Sequence, residues 1–234
     1  MNGLLFIQNE AGNVIAQVTE SPISEVVAKI NIWDLALKGG WLMIPIALLL
    51  FIAIAILIER IFVIKKAGKE DPTFMNRIKD YIHEGKIDSA INLCRMDDTP
   101  ISRMIEKGIS RLGRPMNDIL VAIENVGNIE VTKLEKGFPW VATTAAAAPM
   151  LGFLGTVTGM VRAFFSMANA GANVDITLLS SGIYEALVTT VAGLVVGIIA
   201  LLAHNYLVAQ VNRAINKMET RSMEFMDLLN EPTK

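Results

Sequence analysis

Glu185 is the one carboxylate in an apolar stretch running from Ile176 to Val208, and Thr189 and Thr190 follow it in "GIYEALVTT" at 182–190. A second apolar stretch, Phe138 to Ala168, has Arg162 as its single charge and carries "GFLGTVTGM" at 152–160, with Thr156 and Thr158 among three glycines. If the surroundings are a bilayer, a carboxylate there costs about 2.5–3.5 kcal/mol on an insertion scale. Its chemistry would then be to hold a proton or cation, or to hydrogen-bond a neighbouring helix. Threonine hydroxyls donate and accept without fixed charge, so they can hold water and guide a proton. A lone threonine more often bonds back to the preceding helical turn. Because hydroxyls gather near Glu185, a proton or ion site is the favoured reading over a purely structural hydrogen bond.

For these groups to meet, two antiparallel helices must present them to each other. With a turn near Gly171-Ala172, residues whose numbers sum to about 343 lie level. Glu185 then faces Thr158, Thr156 faces Leu187, and Thr189 and Thr190 sit about a turn further in. Arg162 falls level with Ser181 and is expected to snorkel outward or meet Asp175 in preference to Glu185. Small residues mark the packing faces: Gly152, Gly155 and Gly159 in one helix, Gly182, Ala186, Gly193 and Gly197 in the other. Their spacing of three or four puts them on one side, and small faces let membrane helices approach closely. A homo-oligomer is expected from them, because each face must pack against something.

The composition supports a bilayer setting. Of 234 residues, 53% are hydrophobic and 19% charged, with the charges bunched between long neutral stretches. The formal net charge of −2 argues against nucleic acid as a partner. One cysteine, Cys94, and two histidines, His83 and His204, are too few for a Cys/His metal cluster, so no metal or cofactor is expected. Cys94 reads as a small buried residue in a helix. The opening "MNGLLFIQ" has no Lys or Arg ahead of its short apolar run, so it is not read as a cleaved signal.

The expected fold is an all-α membrane protein with three transmembrane helices, long helices reaching into the cytoplasm, and a homo-oligomeric bundle. Residues 1–40 form an outer N-terminal segment with an amphipathic helix, and 41–64 the first span, whose residues Trp41 to Ile58 carry no charge. Glu59 and Arg60 close that span, pairing with nearby groups or snorkelling to the interface. A helical loop occupies 65–137. Asp71-Pro72 is expected to cap its first helix, with breaks at Gly85 and at Gly113 with Pro115. The second span is 138–168, a turn 169–175, the third span 176–208, and an amphipathic tail 209–234. Lys65, Lys66, Lys69, Lys133, Lys136, Arg213, Lys217 and Arg221 flank the spans on one side, whereas "NAGANVD" has no Lys or Arg. The positive-inside rule places the N-terminus outside and the C-terminus in the cytoplasm.

With this plan, "APMLGFLGTVTGM" at 148–160 and "SGIYEALVTTVAGLVVGIIA" at 181–200 resemble the ExbB/TolQ/MotA family of proton-channel subunits, ExbB above all. The resemblance implies a pentamer in the bacterial inner membrane enclosing single-span ExbD-like partners and driving a TonB-like protein by the proton motive force. It places the pore-lining threonines on Thr156 and Thr190, beside Thr189, and the glutamate on Glu185, with the proton-accepting aspartate on the partner. Arg162 departs from the family pattern. A TolQ-like role in envelope maintenance and a passive membrane scaffold are the alternatives. An intramembrane hydrolase has no G-x-S-x-G, H-E-x-x-H or second mid-span carboxylate to rest on.

Overall fold

A computed structural model of the protein describes residues 39–69, 71–169 and 176–230. The amphipathic helix expected ahead of the first span, most of the turn expected at 169–175, and Asp175 lie outside the described residues. Seven α-helices make up the described chain, and no strand occurs among those residues: α1 (Met43–Ala67), α2 (Phe74–His83), α3 (Ile87–Asp97), α4 (Pro100–Ile109), α5 (Met116–Leu134), α6 (Phe138–Asn169) and α7 (Ile176–Asn230). Three helical stretches are long and apolar enough to cross a membrane, within Met43–Ala67, Met116–Asn169 and Leu179–Asn230. The chain is thus an all-α membrane protein, as its neutral runs predict.

Local chemistry sets the helix ends. Gly85 and Gly137 adopt φ of +69° and +90°, which separates α2 from α3 and α5 from α6. Thr99 caps α4 reciprocally with Ser102, and Pro100 occupies the first turn, where its missing N–H costs nothing. The expected Asp71-Pro72 cap is different in the structure. The Asp71 carboxylate turns back onto the Thr73 N–H at 2.9 Å and hydroxyl at 2.7 Å, and α2 starts at Phe74. A short acidic side chain two residues upstream forms this local turn more readily than it reaches the helix.

The contacts divide the chain into two units. Among the described residues, one joins 39–43 with 155–169 and 176–189; the other joins 44–69 and 71–154 with 190–230. Within the second unit, Ile46, Ala148 and Val196 form an apolar layer among α1, α6 and α7. Further along, Ile64, Leu134, Phe138, Leu207 and Val211 form another. Beyond it, α2 to α5 fold into a compact helical bundle against the C-terminal part of α7, around Ile78, Cys94, Ile105, Ile123 and Phe225. The amphipathic pattern of the tail therefore serves this bundle, so α7 is one helix with an apolar half and a bundle-facing half.

Buried charges tie the elements together. Arg60 is 7% exposed, pairs with its neighbour Glu59, and donates to the Lys133 carbonyl at 3.0 Å, fastening α1 to α5. Glu130 accepts from Arg103 Nη2 and Lys133 Nζ, both at 2.7 Å, with its side chain only 4% exposed. Burial pushes the Glu130 carboxyl up, and the two cationic donors more than offset that, so it stays below the ordinary carboxylate range.

Candidate functional site

In the first unit, α6 and α7 approach through their smallest residues. A Cβ added at Gly155 would lie 2.5 Å from Thr189 Cγ2. One at Gly159 would lie 2.8 Å from Ala186 Cβ, and one at Gly182 would lie 2.9 Å from Ala163 Cβ. Facing pairs 155/189, 159/186 and 163/182 match the antiparallel register expected from the sequence to within a residue or two. Larger side chains at these glycines would force the backbones apart.

Thr189 is 2% exposed, and its hydroxyl lies 3.0 Å from the Gly39 carbonyl and 2.9 Å from the Glu185 carbonyl. A single hydroxyl proton is shared between the helix's own preceding turn and the Gly39-Gly40 turn, so this group is spent on tying the chain together. Glu185 keeps its side chain one-third exposed. Its carboxylate rests against Gly40, whose φ is +67° and whose missing Cβ is what leaves room for Oε1. The double glycine is a site element that sequence reasoning passed over. Its signal was "KGGW", two glycines directly ahead of the long neutral run of the first span.

Arg162 Nη1 lies 3.6 Å from Glu185 Oε1. Its side chain is 62% exposed, in keeping with the outward reach expected of it, and the expected alternative partner Asp175 lies outside the described residues; the approach to Glu185 is the contact that the depth argument disfavoured. Register places its Cα about a turn from Glu185, roughly 6 Å along the axis, and a guanidinium on a three-carbon stem spans that distance. Glu185 is thus a carboxylate with a cation on one side and a bare glycine on another. That arrangement can orient the carboxylate and hold charge in place, and it leaves an open edge through which a proton or water can arrive.

Thr156 is half-buried and borders a shallow, almost wholly apolar groove of about 590 Å³ with Val157, Val161 and Phe165 of α6. In the second unit, the Thr190 hydroxyl donates to the Gly152 carbonyl at 2.9 Å, an interhelical bond where α6 and α7 run together. Beside it, a Cβ at Gly193 would meet the Ala148 carbonyl oxygen at 2.5 Å and Gly152 Cα at 2.9 Å. A Cβ at Gly197 would meet Pro149 Cγ at 2.5 Å. The structure therefore brings Glu185, Thr189, Gly155, Gly159, Gly182 and Ala186 together in one unit, and Thr190, Gly152, Gly193 and Gly197 in the other. These small faces pack on one another within a protomer, so they no longer argue for an oligomer on their own.

The same segments decide the kinship. Residues 96–220, more than half the chain, match the MotA/TolQ/ExbB proton channel family. The chain belongs to that family. A putative biopolymer transport protein ExbB-like 1 from Synechocystis is 30% identical over 75% of this chain and 70% of its own length. The Tol-Pal system protein TolQ of Haemophilus influenzae is 29% identical over 80% of this chain and 88% of its own. A putative ExbB homologue from Methanothermobacter thermautotrophicus is 28% identical over 69% of this chain, and the match spans 57% of that relative. The matched region takes in α4, α5, α6 and most of α7, hence Arg162, Glu185 and both threonine pairs. The ExbB/TolQ resemblance read from the sequence is thereby established, and the protein is a multi-pass membrane protein of a proton-channel family.

Proposed function

We propose that the chain is an inner-membrane proton-channel and stator subunit that, with an ExbD-like single-span partner, uses the proton motive force to energise TonB-dependent transport across an outer membrane. The observation that carries this reading is Glu185, a mid-span carboxylate set between Arg162 and Gly40 in a helix otherwise without acid from Ile176 to Val208. A membrane potential supplies about 2.3 kcal/mol per charge per 100 mV, enough to bias a mobile helix as protons pass one by one. Thr156 and Thr190 line the path in this reading. Glu185 takes up the proton transiently or sets the field for an aspartate on the partner. Homo-oligomerisation, in a pentamer with the N-terminus outside and the C-terminus in the cytoplasm, encloses that partner. The family match and the ExbB-named relatives support it.

The test is co-purification of the tagged chain from its own membranes. A one-span protein with an intramembrane aspartate in stoichiometric yield is the expected result, and recovery of the chain alone would overturn the stator reading. A second reading, a TolQ-like subunit that maintains the envelope, is favoured by the long match to the Haemophilus TolQ. Deletion cells separate the two. Loss of siderophore uptake with an intact envelope supports the first, and detergent sensitivity with normal uptake supports the second.

A further inference from the structure

A cavity of about 340 Å³ opens between the last turns of α1 and the middle of α7. Its apolar wall includes Ile61 and Leu207, and its rim carries Lys65, Arg213 and Lys217 with no carboxylate among the lining residues. Tyr206 stands at its mouth, 45% exposed. Arg213 and Lys217 are four apart on α7 and so share a face, and Lys65 reaches the same hollow from α1. All three cations are exposed, and none has a hydrogen bond or ion pair among the described residues.

Several other cations of the chain have a carboxylate partner: Arg60 with Glu59, Lys86 with Glu84, Arg95 with Glu106, Arg103 and Lys133 with Glu130. A general excess of basic residues at one membrane face would scatter cations around the helices. Here three of them, from two helices, converge on one concavity, where they repel one another unless an anion sits between them. The depth is also informative. Lys65 follows Ile58, the last residue of the neutral run, by about 10 Å of helix. The intervening Phe62 is 70% exposed, as a lipid-facing residue would be. The cations thus lie at headgroup level, and the apolar wall leads back toward hydrocarbon. A soluble anion would make no use of that wall, whereas a phospholipid uses both parts. Guanidinium grips phosphate oxygens in a fork, and tyrosine suits the boundary between chain and headgroup.

We propose that this cavity binds the phosphate of an anionic phospholipid, with Lys65, Arg213 and Lys217 around the headgroup and the acyl chains along Ile61 and Leu207. Basic pockets between membrane helices are suited to such headgroups. The site needs only that α1 crosses a bilayer, so it stands or falls separately from the transport role.

The test is native mass spectrometry of the full chain purified in mild detergent, titrated with phosphatidylglycerol, with phosphatidylcholine of the same acyl chains, and with inorganic phosphate. Phosphatidylglycerol is expected to remain bound where phosphatidylcholine does not. Lys65→Gln, Arg213→Gln and Lys217→Gln together should weaken retention about tenfold or more, and Lys217→Gln alone should weaken it measurably if the triple variant fails to fold. Removing the same charge at Arg77, Lys107 and Arg114 should leave retention within about twofold. Equal retention of both lipids, or an equal loss in the control variant, would overturn the site. Displacement of the lipid by inorganic phosphate at equal concentration would assign it to a soluble anion instead and overturn the lipid reading.

Discussion

The carboxylate of Glu185 lies against the backbone of Gly40, so closely that a Cβ at Gly40 would collide with Oε1. The positive φ of Gly40 adds a second reason for glycine, because an L side chain there is strained whatever the space. The segment ahead of α1 therefore helps to fix where the mid-span acid points, through a turn that Thr189 also ties down by its bond to the Gly39 carbonyl.

Gly40→Ala should accordingly displace Glu185 while leaving the helices intact. The expected result is unchanged helicity and expression with proton-driven uptake reduced nearly as far as by Glu185→Gln. Uptake of a siderophore in cells lacking the native subunit is the measurement. Wild-type uptake by Gly40→Ala would show that the turn does not position the acid.

Arg162 and Glu185 should behave as a pair. With Nη1 3.6 Å from Oε1, Arg162→Gln leaves the carboxylate without its nearby cation, and Glu185→Gln leaves the guanidinium without its anion. Each single change should impair uptake, and the double change should be less harmful than the two effects multiplied. Strictly multiplicative losses would mean that the two groups act independently. Assembly should survive in all three, since Gln keeps the size and hydrogen bonding of Glu185 and the Arg162 side chain is 62% exposed, so co-purified partner serves as the control.

Thr190 separates a dry tie from a wet path. Its hydroxyl donates to the Gly152 carbonyl at 2.9 Å, so Thr190→Val should lose about 0.5–1.5 kcal/mol of stability as well as uptake. Thr190→Ser keeps the donor and should restore both, read by thermal unfolding and by transport. If Ser restores stability and uptake stays lost, the methyl group shapes the path and the hydroxyl alone is insufficient.

Much of this was legible in the sequence, for reasons that differ by residue. The neutral run from Trp41 to Ile58 announces a membrane helix by length alone. Gly85 breaks α2 from α3 because nothing but glycine takes its φ of +69° so readily. The facing of Gly159 and Ala186 follows from antiparallel geometry once a turn is assumed. What escaped were contacts that no local period encodes. Gly40 and Glu185 are far apart in the chain, and only the packed structure sets one over the other. The reach of Arg162 along its helix was underestimated because register was reckoned from Cα positions rather than from the guanidinium. Thr189 looked like part of a hydroxyl ring, yet its helix face is the buried one.

Glu130 gives the helical bundle an acid-sensitive tie. Its folded-state carboxyl lies below the ordinary value, so the stability it contributes is present above that ordinary value and fades as pH falls through the folded one. The donors are partly solvent-screened, Arg103 by one-third exposure and Lys133 by more, so the contribution is about 1–2 kcal/mol at neutral pH. Glu130→Gln should lower the melting temperature at pH 7 and flatten its fall as the pH drops through and below the ordinary carboxylate range. Parallel melting curves for variant and wild type across that range would contradict the assignment.

Cys94 offers a probe of the same bundle. Its side chain is 1% exposed between α2, α4 and the other helices of the core. Burial pushes its thiol up to about 12, and Glu106 and Asp97 add to the shift. Thiolate is the reacting form, so at pH 8 the folded chain holds roughly a thousandfold less of it than an exposed cysteine would. Maleimide should therefore label the native protein at a rate set by opening of the bundle, and the denatured protein at once. Glu130→Gln loosens the Arg103 tie between α4 and α5 without touching Cys94. If that tie holds the bundle shut, the variant should label several-fold faster at pH 7. An unchanged labelling rate in a variant with a lowered melting temperature would place the opening of α3 outside the cooperative unit that Glu130 supports.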